Sequence, residues 1–513
     1  MSIRISLDNP PEFYTNLDFI SGRVILVLHR PETIGNVIVK LEGESRTALT
    51  TPSPGEHDDF YHARPPGGVI GGDVVTENHK ILYRVFQVYP DDGASILFQA
   101  GLHEFKFNFK VPLNNICHDE KAMSTLLGIG GIGGSSGFRT MDGTKQLMLQ
   151  HVKATLPPSL TGFPQEAEIR YYLKVTIQRP SFFKENWRYQ VGFKFLPIEP
   201  PRPAKTSQEA FARRPFTFRP RPRMHHKKSS FFGGNRSPAP EAAEDQAPPN
   251  IEMSARLPFP SILTCNEPLP LRIIARKLAP TATQVYLTAM EIALMGYTQV
   301  RVQSLENTEV TAFPIVSAPH LSPPVALFAS PSDPVDAEFE IPRSIWADRR
   351  LPNTVAPSFR TCNIARRYEI QMMLTLSWGP PATPGSGKSL PQTITLPLKI
   401  SNVEVFTGIT PPQELVNAAN TTTSVIGRPP RLPNRPSASQ QRPPHQQQAP
   451  HRPAAHDPLY PPQLGTPANA MFDDAPPSYD EAMADQLAGP AARPAYSGVT
   501  AENAPSTMPA QKA

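Results

Sequence analysis

Apolar residues recur at every second position through most of the first 400 residues, the spacing of strands with one dry and one wet face. Phe105, Phe107 and Phe109 alternate with Lys106, Asn108 and Lys110. Ile169, Tyr171, Leu173, Val175 and Ile177 alternate with Arg170, Tyr172, Lys174, Thr176 and Gln178, and Trp187, Tyr189, Val191, Phe193 and Phe195 repeat the arrangement. Dry faces must pair, and two antiparallel sheets packed face to face are the simplest way to pair them. The period lapses at Leu196 and returns at Ile251. Leu269, Leu271 and Ile273, then Val285, Leu287 and Ala289, then Ile370, Met372, Leu374, Leu376 and Trp378, then Ile394, Leu396, Leu398 and Ile400 predict a second sandwich. The expected fold class is therefore all-β: two tandem immunoglobulin-like antiparallel β-sandwiches over 1–197 and 251–410. A linker over 198–250 and a tail over 411–513 are expected to be disordered. Two Gly-, Pro- and Asp-rich stretches, about 50–78 and 114–143, read as surface insertions of the first sandwich.

Composition supports that division. Proline accounts for 63 of 513 residues, more than twice the usual ~5%, and much of the excess lies in 197–250 and 411–513. The tail holds too little apolar surface to offset the entropy of ordering it. The formal charge of +5 is modest and does not point to nucleic acid. It is concentrated in one basic run, Arg213, Arg214, Arg219, Arg221, Arg223, Lys227 and Lys228, flanked by Phe211, Phe216, Phe218, Phe231 and Phe232. A solvated linker is the first reading of this run, attraction to an anionic membrane surface the second and nuclear import or nucleic-acid contact the last, since aromatic residues beside basic ones suit a membrane surface better than a duplex. The three cysteines, Cys117, Cys265 and Cys362, are widely spaced and form no CxxC. That spacing predicts neither a disulfide framework nor a metal site, and suits a reducing compartment. With no secretory leader pattern and no apolar run of membrane-spanning length, a cytoplasmic protein is expected.

The most specific motif lies in the tail. Pro476, Pro477, Ser478 and Tyr479 form a PPxY peptide inside Asp473–Met483. Paired prolines hold the backbone near polyproline II before any partner arrives, which lowers the entropy cost of docking in an aromatic groove. Tyr479 supplies the anchor, and the grooves that take such peptides belong to WW domains. Asp480 and Glu481 suit a basic rim, and a helical turn after the tyrosine would place Met483 beside the same groove.

Other motifs mislead. Residues 382–389, ending in Lys388 and Ser389, satisfy a relaxed P-loop pattern, but a strand rather than a helix is predicted to follow, so they read as a hairpin loop. Gly128, Gly130 and Gly133 match a dinucleotide fingerprint in letters without the strand and helix it requires. His225 and His226 lie in a cationic stretch without partner ligands. No catalytic constellation and no cofactor are expected, so the chain reads as a non-enzyme.

Several local sequences carry a family resemblance. Ser21-Gly22-Arg23-Val24, Gly101-Leu102-His103-Glu104-Phe105-Lys106-Phe107 ahead of Val111-Pro112, Ile169-Arg170-Tyr171-Tyr172-Leu173 and Pro268-Leu269-Pro270-Leu271-Arg272 occur in that order, followed by the PPxY tail. Together they resemble the α-arrestins, in particular the fungal arrestin-related trafficking adaptors. The resemblance implies arrestin-like sandwiches and a non-catalytic adaptor. Its WW-binding tail would recruit a Nedd4-like HECT ubiquitin ligase to the cytosolic regions of membrane transporters or receptors, at the plasma membrane and endosomes, for ubiquitination and endocytosis. It also implies ubiquitination of the adaptor itself, with Lys205, Lys227 and Lys228 as accessible candidates. A signalling scaffold for an ambient-pH receptor and a coat component resembling the arrestin-like subunit of retromer are alternatives on the same fold. The chain departs from the family pattern in its Gly128–Gly137 insertion. It also has a single strict PPxY: Asp457-Pro458-Leu459-Tyr460 and Arg493-Pro494-Ala495-Tyr496 lack the first proline.

Overall fold

The computed structural model describes residues 1–51, 73–89, 96–117, 154–163, 166–180, 184–204, 206–220, 247–281, 283–379, 392–417, 479–490 and 492–495. The first alternating series becomes β1 (Ser2–Leu7), β2 (Phe19–Leu28), β3 (Glu32–Ile34), β4 (Asn36–Thr50), β5 (Val74–Tyr89), β6 (Ile96–Phe98), β7 (Gly101–Lys110), β8 (Leu160–Phe163), β9 (Ala167–Gln178) and β10 (Trp187–Phe193). One antiparallel sheet runs β1-β2-β7 and a second runs β10-β9-β4-β5 with β8 on β9. Ile20, Val24, Leu26, Phe107 and Phe109 from the first sheet and Val39, Leu41, Ile169, Leu173 and Val175 from the second share one buried core. That is the pairing of dry faces required by the period-two pattern.

Gly22, within the Ser-Gly-Arg-Val sequence, has a steric role. A Cβ there would stand 2.4 Å from the Ser6 carbonyl oxygen on the paired β1 strand and 2.9 Å from the Phe107 ring. Gly22→Ala is expected to cost about 1–3 kcal/mol through overpacking, read as a lower urea midpoint for the first sandwich.

The second series becomes β11 (Glu209–Thr217), β12 (Asn250–Pro258), β13 (Ile262–Thr264), β14 (Arg272–Lys277), β15 (Val285–Val302), β16 (Leu305–Ala318), β17 (Val325–Ala326), β18 (Glu338–Glu340), β19 (Phe359–Arg360), β20 (Ile364–Trp378) and β21 (Gln392–Phe406). One sheet runs β11-β12-β14-β18; the other runs β13-β21-β20-β15-β16, with β17 on β15 and β19 on β20. Ile251, Met253, Ala255 and Ile273 meet Leu287, Ile292, Ile370, Leu374 and Trp378 in a second core. Trp378 pairs with Gln392 across the antiparallel β20–β21 ladder, so the P-loop-like letters lie between two adjacent strands. Residues 380–391 themselves, like Gly128–Gly133 and His225–His226, are outside the described residues.

Two expectations change. Within 198–250, expected to be a structureless linker, residues 209–217 form β11 along the edge of the second sandwich, paired with β12 from Glu209–Pro258 to Thr217–Asn250. Ala210, Ala212, Phe216 and Phe218 turn inward on alternate positions, and Phe218 lies against Trp378 at 6.0 Å between ring centroids. Alanines on the covered face and Pro215 obscure the alternation, and an edge strand tolerates the proline because one side of its backbone has no neighbour to receive an N–H. Arg213 and Arg214 of the basic run are therefore strand residues on this edge. Arg213 stacks on the exposed Phe211 ring at 4.1 Å and Arg214 donates to the Pro397 carbonyl at 3.3 Å. Arg219 follows the strand, its amide donating to the Gln392 side chain. Arg221, Arg223, Lys227 and Lys228 are outside the described residues.

Both ends of the first expected insertion and the start of the second belong to the described part of the first sandwich. β5 begins at Val74, and the Ile116 and Asn115 amides donate to the carbonyls of Ile81 (3.0 Å) and Ala154 (2.9 Å). Residues 52–72 and 118–153 are outside the described residues. The third difference, in the tail, belongs to the candidate site.

Candidate functional site: the docking tail and the seam between the sandwiches

The chain divides into two compact units, one comprising Met1–Pro412 with Leu487–Ala513 and the other Gln413–Gln486. In the second unit Pro476, Pro477 and Ser478 are outside the described residues, and Tyr479 opens a helix, α1 (Tyr479–Gln486). The helix agrees with the turn expected after the tyrosine. In sequence, Ser478-Tyr479-Asp480-Glu481 has the Ser-x-x-Glu order that commonly precedes a helix. Met483 is half-buried and Ala484 buried.

Beyond α1, part of the tail expected to be disordered is bound to the first unit. The Gly489 amide donates to the Leu17 carbonyl at 3.1 Å. The Arg493 guanidinium makes a 2.7 Å ion pair with Asp18 and donates to the Phe13 carbonyl at 2.7 Å. The Asn353 side chain donates to the Ala495 carbonyl at 2.7 Å, and Pro494 lines a small pocket with Leu196, Cys265, Val355 and Ile409. Burial pushes the Asp18 carboxyl above the usual range despite the opposing Thr15 amide and Arg493. Gly489 is required for the close approach, since a Cβ there would fall 2.3 Å from Asp18 Oδ1. Arg493, Pro494 and Ala495 of the incomplete PPxY-like sequence are thus held against the folded domains.

A polar seam joins the two sandwiches. Asn363, in the turn from β19 to β20, is buried, and its amide nitrogen donates to the Ser45 carbonyl (3.0 Å) and Thr47 Oγ1 (3.1 Å). Its oxygen accepts from Ser45 Oγ at 2.6 Å. Thr47 Oγ1 in turn donates to the Arg301 carbonyl at 2.8 Å. Arg301 reaches Glu77 at 3.4 Å and donates to the Cys362 carbonyl, while the Gln303 amide donates to Glu77 Oε2 at 2.8 Å. Val300, Ala356 and Ile364 of the second sandwich complete the apolar cluster of the first. Asn363→Ala strands buried groups on β4 and is expected to cost about 2–3 kcal/mol, seen as a lower thermal midpoint.

Beside the seam lie His79, Cys117 and Cys362, all buried, with one ligand atom of each within 4.8 Å of the others. Cys117 Sγ stands 3.5 Å from His79 Nδ1 and 3.5 Å from Cys362 Sγ, and His79 Nε2 is hydrogen-bonded to Glu77. Contact with Cys362, together with burial, pushes the Cys117 thiol well above the usual range. The third cysteine, Cys265, lies apart, its thiol pushed up to about 12 by burial. Sequence reasoning missed this cluster and the seam, because their residues are remote in the chain.

Tandem sandwiches joined by a buried polar seam define a two-domain arrestin-like architecture. Residues 3–120 match the family described as Arrestin (or S-antigen), N-terminal domain. Over 141 residues the chain is 27% identical to Arrestin-related trafficking adapter 10 of Lachancea thermotolerans. The match covers 25% of this chain and 32% of that relative. The chain is thus similar to arrestins over most of its first sandwich and to a trafficking adapter over a quarter of its length. Among its described residues no helix is long and apolar enough to cross a membrane.

Proposed function

We propose that this protein is a non-catalytic trafficking adaptor. Its arrestin-like sandwiches engage cytosolic segments of membrane transporters or receptors, and Pro476, Pro477 and Tyr479 recruit the WW domains of a HECT-type ubiquitin ligase. The observation that carries the proposal is the PPxY sequence itself, whose Tyr479 is the first residue of α1. The similarity to a trafficking adapter supports the adaptor class. The adaptor works by proximity: it raises the concentration of ligase near cargo lysines and forms no covalent intermediate of its own. The exposed Phe211 with Arg213 on edge strand β11 offers the anionic membrane surface one basic-aromatic contact.

The proposal is tested by proximity labelling in cells expressing the intact chain or Tyr479→Ala. Labels lost in the variant should belong to a ubiquitin ligase, labels retained should include membrane cargo, and cargo ubiquitination and uptake should fall. Unchanged ligase labelling and uptake would contradict the assignment.

A further inference from the structure

We propose that His79, Cys117 and Cys362 form a binding site for one thiophilic divalent cation of the zinc class, placed so that it ties the first sandwich to the second. His79 lies on β5 and Cys117 follows β7, whereas Cys362 belongs to the turn before β20. A single ion would therefore bridge both domains. Zn–S bonds of about 2.3 Å and a Zn–N bond of about 2.0–2.1 Å at tetrahedral angles place sulfur about 3.8 Å from sulfur and about 3.6 Å from nitrogen. The separations found, 3.5 Å for both Cys117–Cys362 and Cys117–His79, fit that geometry. A disulfide, by contrast, needs its sulfurs at about 2.05 Å.

The surroundings supply the orientation such a site requires. A ligating histidine typically gives its other ring nitrogen to a carboxylate, which fixes the ring and raises its basicity. His79 turns Nδ1 to the sulfur and Nε2 to Glu77, and Glu77 is in turn held by Arg301 and the Gln303 amide. Charge selects the ion. Two thiolates and a neutral imidazole around a dication leave no net charge in a buried site, whereas a monovalent soft ion would leave one negative charge uncompensated. Binding releases the two thiol protons to solvent, and a water completes the coordination.

The test uses the full chain purified under reductant and equilibrated with zinc. It should retain close to one zinc per chain, and chelation should lower the thermal midpoint. Cobalt(II) in place of zinc should give the strong visible absorption of a tetrahedral thiolate site. Cys117→Ser and Cys362→Ser should each reduce retained metal at least tenfold, while Cys265→Ser keeps it. Glu77→Gln should weaken zinc affinity about tenfold to a hundredfold. The cobalt spectrum of the unaltered chain keeps the test decisive if a variant fails to fold. Absence of both bound zinc and a cobalt spectrum, or a Cys117–Cys362 disulfide as the resting state, would overturn the proposal.

Discussion

Replacing Lys80 with methionine is expected to destabilise the first sandwich by about 3 kcal/mol, the scale for leaving a buried charge without its partner. On the sheet formed by β9, β4 and β5, Glu42 stands opposite Tyr172, and Glu44 lies between Arg170 and Lys80. The Lys80 ammonium bonds Glu42, Glu44 Oε1 at 2.6 Å and Tyr172 Oη at 3.2 Å. Tyr172 donates to these same carboxylates, and Arg170 closes on Glu44 at 3.0 Å. Without Lys80, two nearly buried carboxylates face one another, with Arg170 still paired to Glu44 and Lys174 acting on Glu42 only through its field. Urea unfolding of Lys80→Met, followed by fluorescence, measures the loss, and a midpoint equal to that of the unaltered chain would contradict it.

The same cluster sets an acid dependence. Burial raises the Glu44 carboxyl, but Lys80, Tyr172 and Arg170 outweigh it and hold the group at about 2 rather than 4.5. A carboxyl depressed in the folded state contributes its full stability above the unfolded value and loses it as pH falls toward the folded one. The loss therefore runs between about pH 4.5 and pH 2 and amounts to at most about 3 kcal/mol. In Lys80→Met this part of the stability–pH curve should flatten. An unchanged slope would show that Lys80 is not what holds the carboxylate ionised.

How legible these features were depends on how local their cause is. A half-buried strand announces itself through its own alternation, so β7, β9, β20 and β21 are plain in the sequence. The tyrosine motif at 169–173 illustrates the limit. Alternation places Tyr171 inward, where its hydroxyl bonds the Pro157 carbonyl at 2.6 Å, and Tyr172 outward, but nothing local shows that Tyr172 meets Glu42 and Glu44. β11 was hidden because its covered face is built from Ala210 and Ala212, which carry little hydropathy signal, and because Pro215 and the arginines resemble a linker. The seam and the His-Cys cluster depend on pairs such as Ser45 with Asn363, 318 residues apart, and Cys117 with Cys362, 245 apart. No spacing rule covers such distances, and zinc motifs are recognised by close ligand pairs that are absent here. Residues 489–490 and 492–495 include no large apolar side chain and are fixed by Arg493 and by hydrogen bonds to backbone groups, neither of which leaves a periodic trace. The PPxY letters, by contrast, are a local pattern that sequence displays directly, and their binding role is the proposal made above.

The central claim is that this motif is the ligase-binding element. Tyr479 is its one bulky anchor, and truncating an anchor of this kind costs about 2 kcal/mol or more, roughly a thirtyfold loss of affinity. The decisive measurement is calorimetric titration of the full-length chain and of Tyr479→Ala with the WW domains of a HECT-type ligase. Micromolar binding by the intact chain and at least a thirtyfold weakening in the variant are the predicted results. Equal binding by the two proteins, or none by either, would contradict the account.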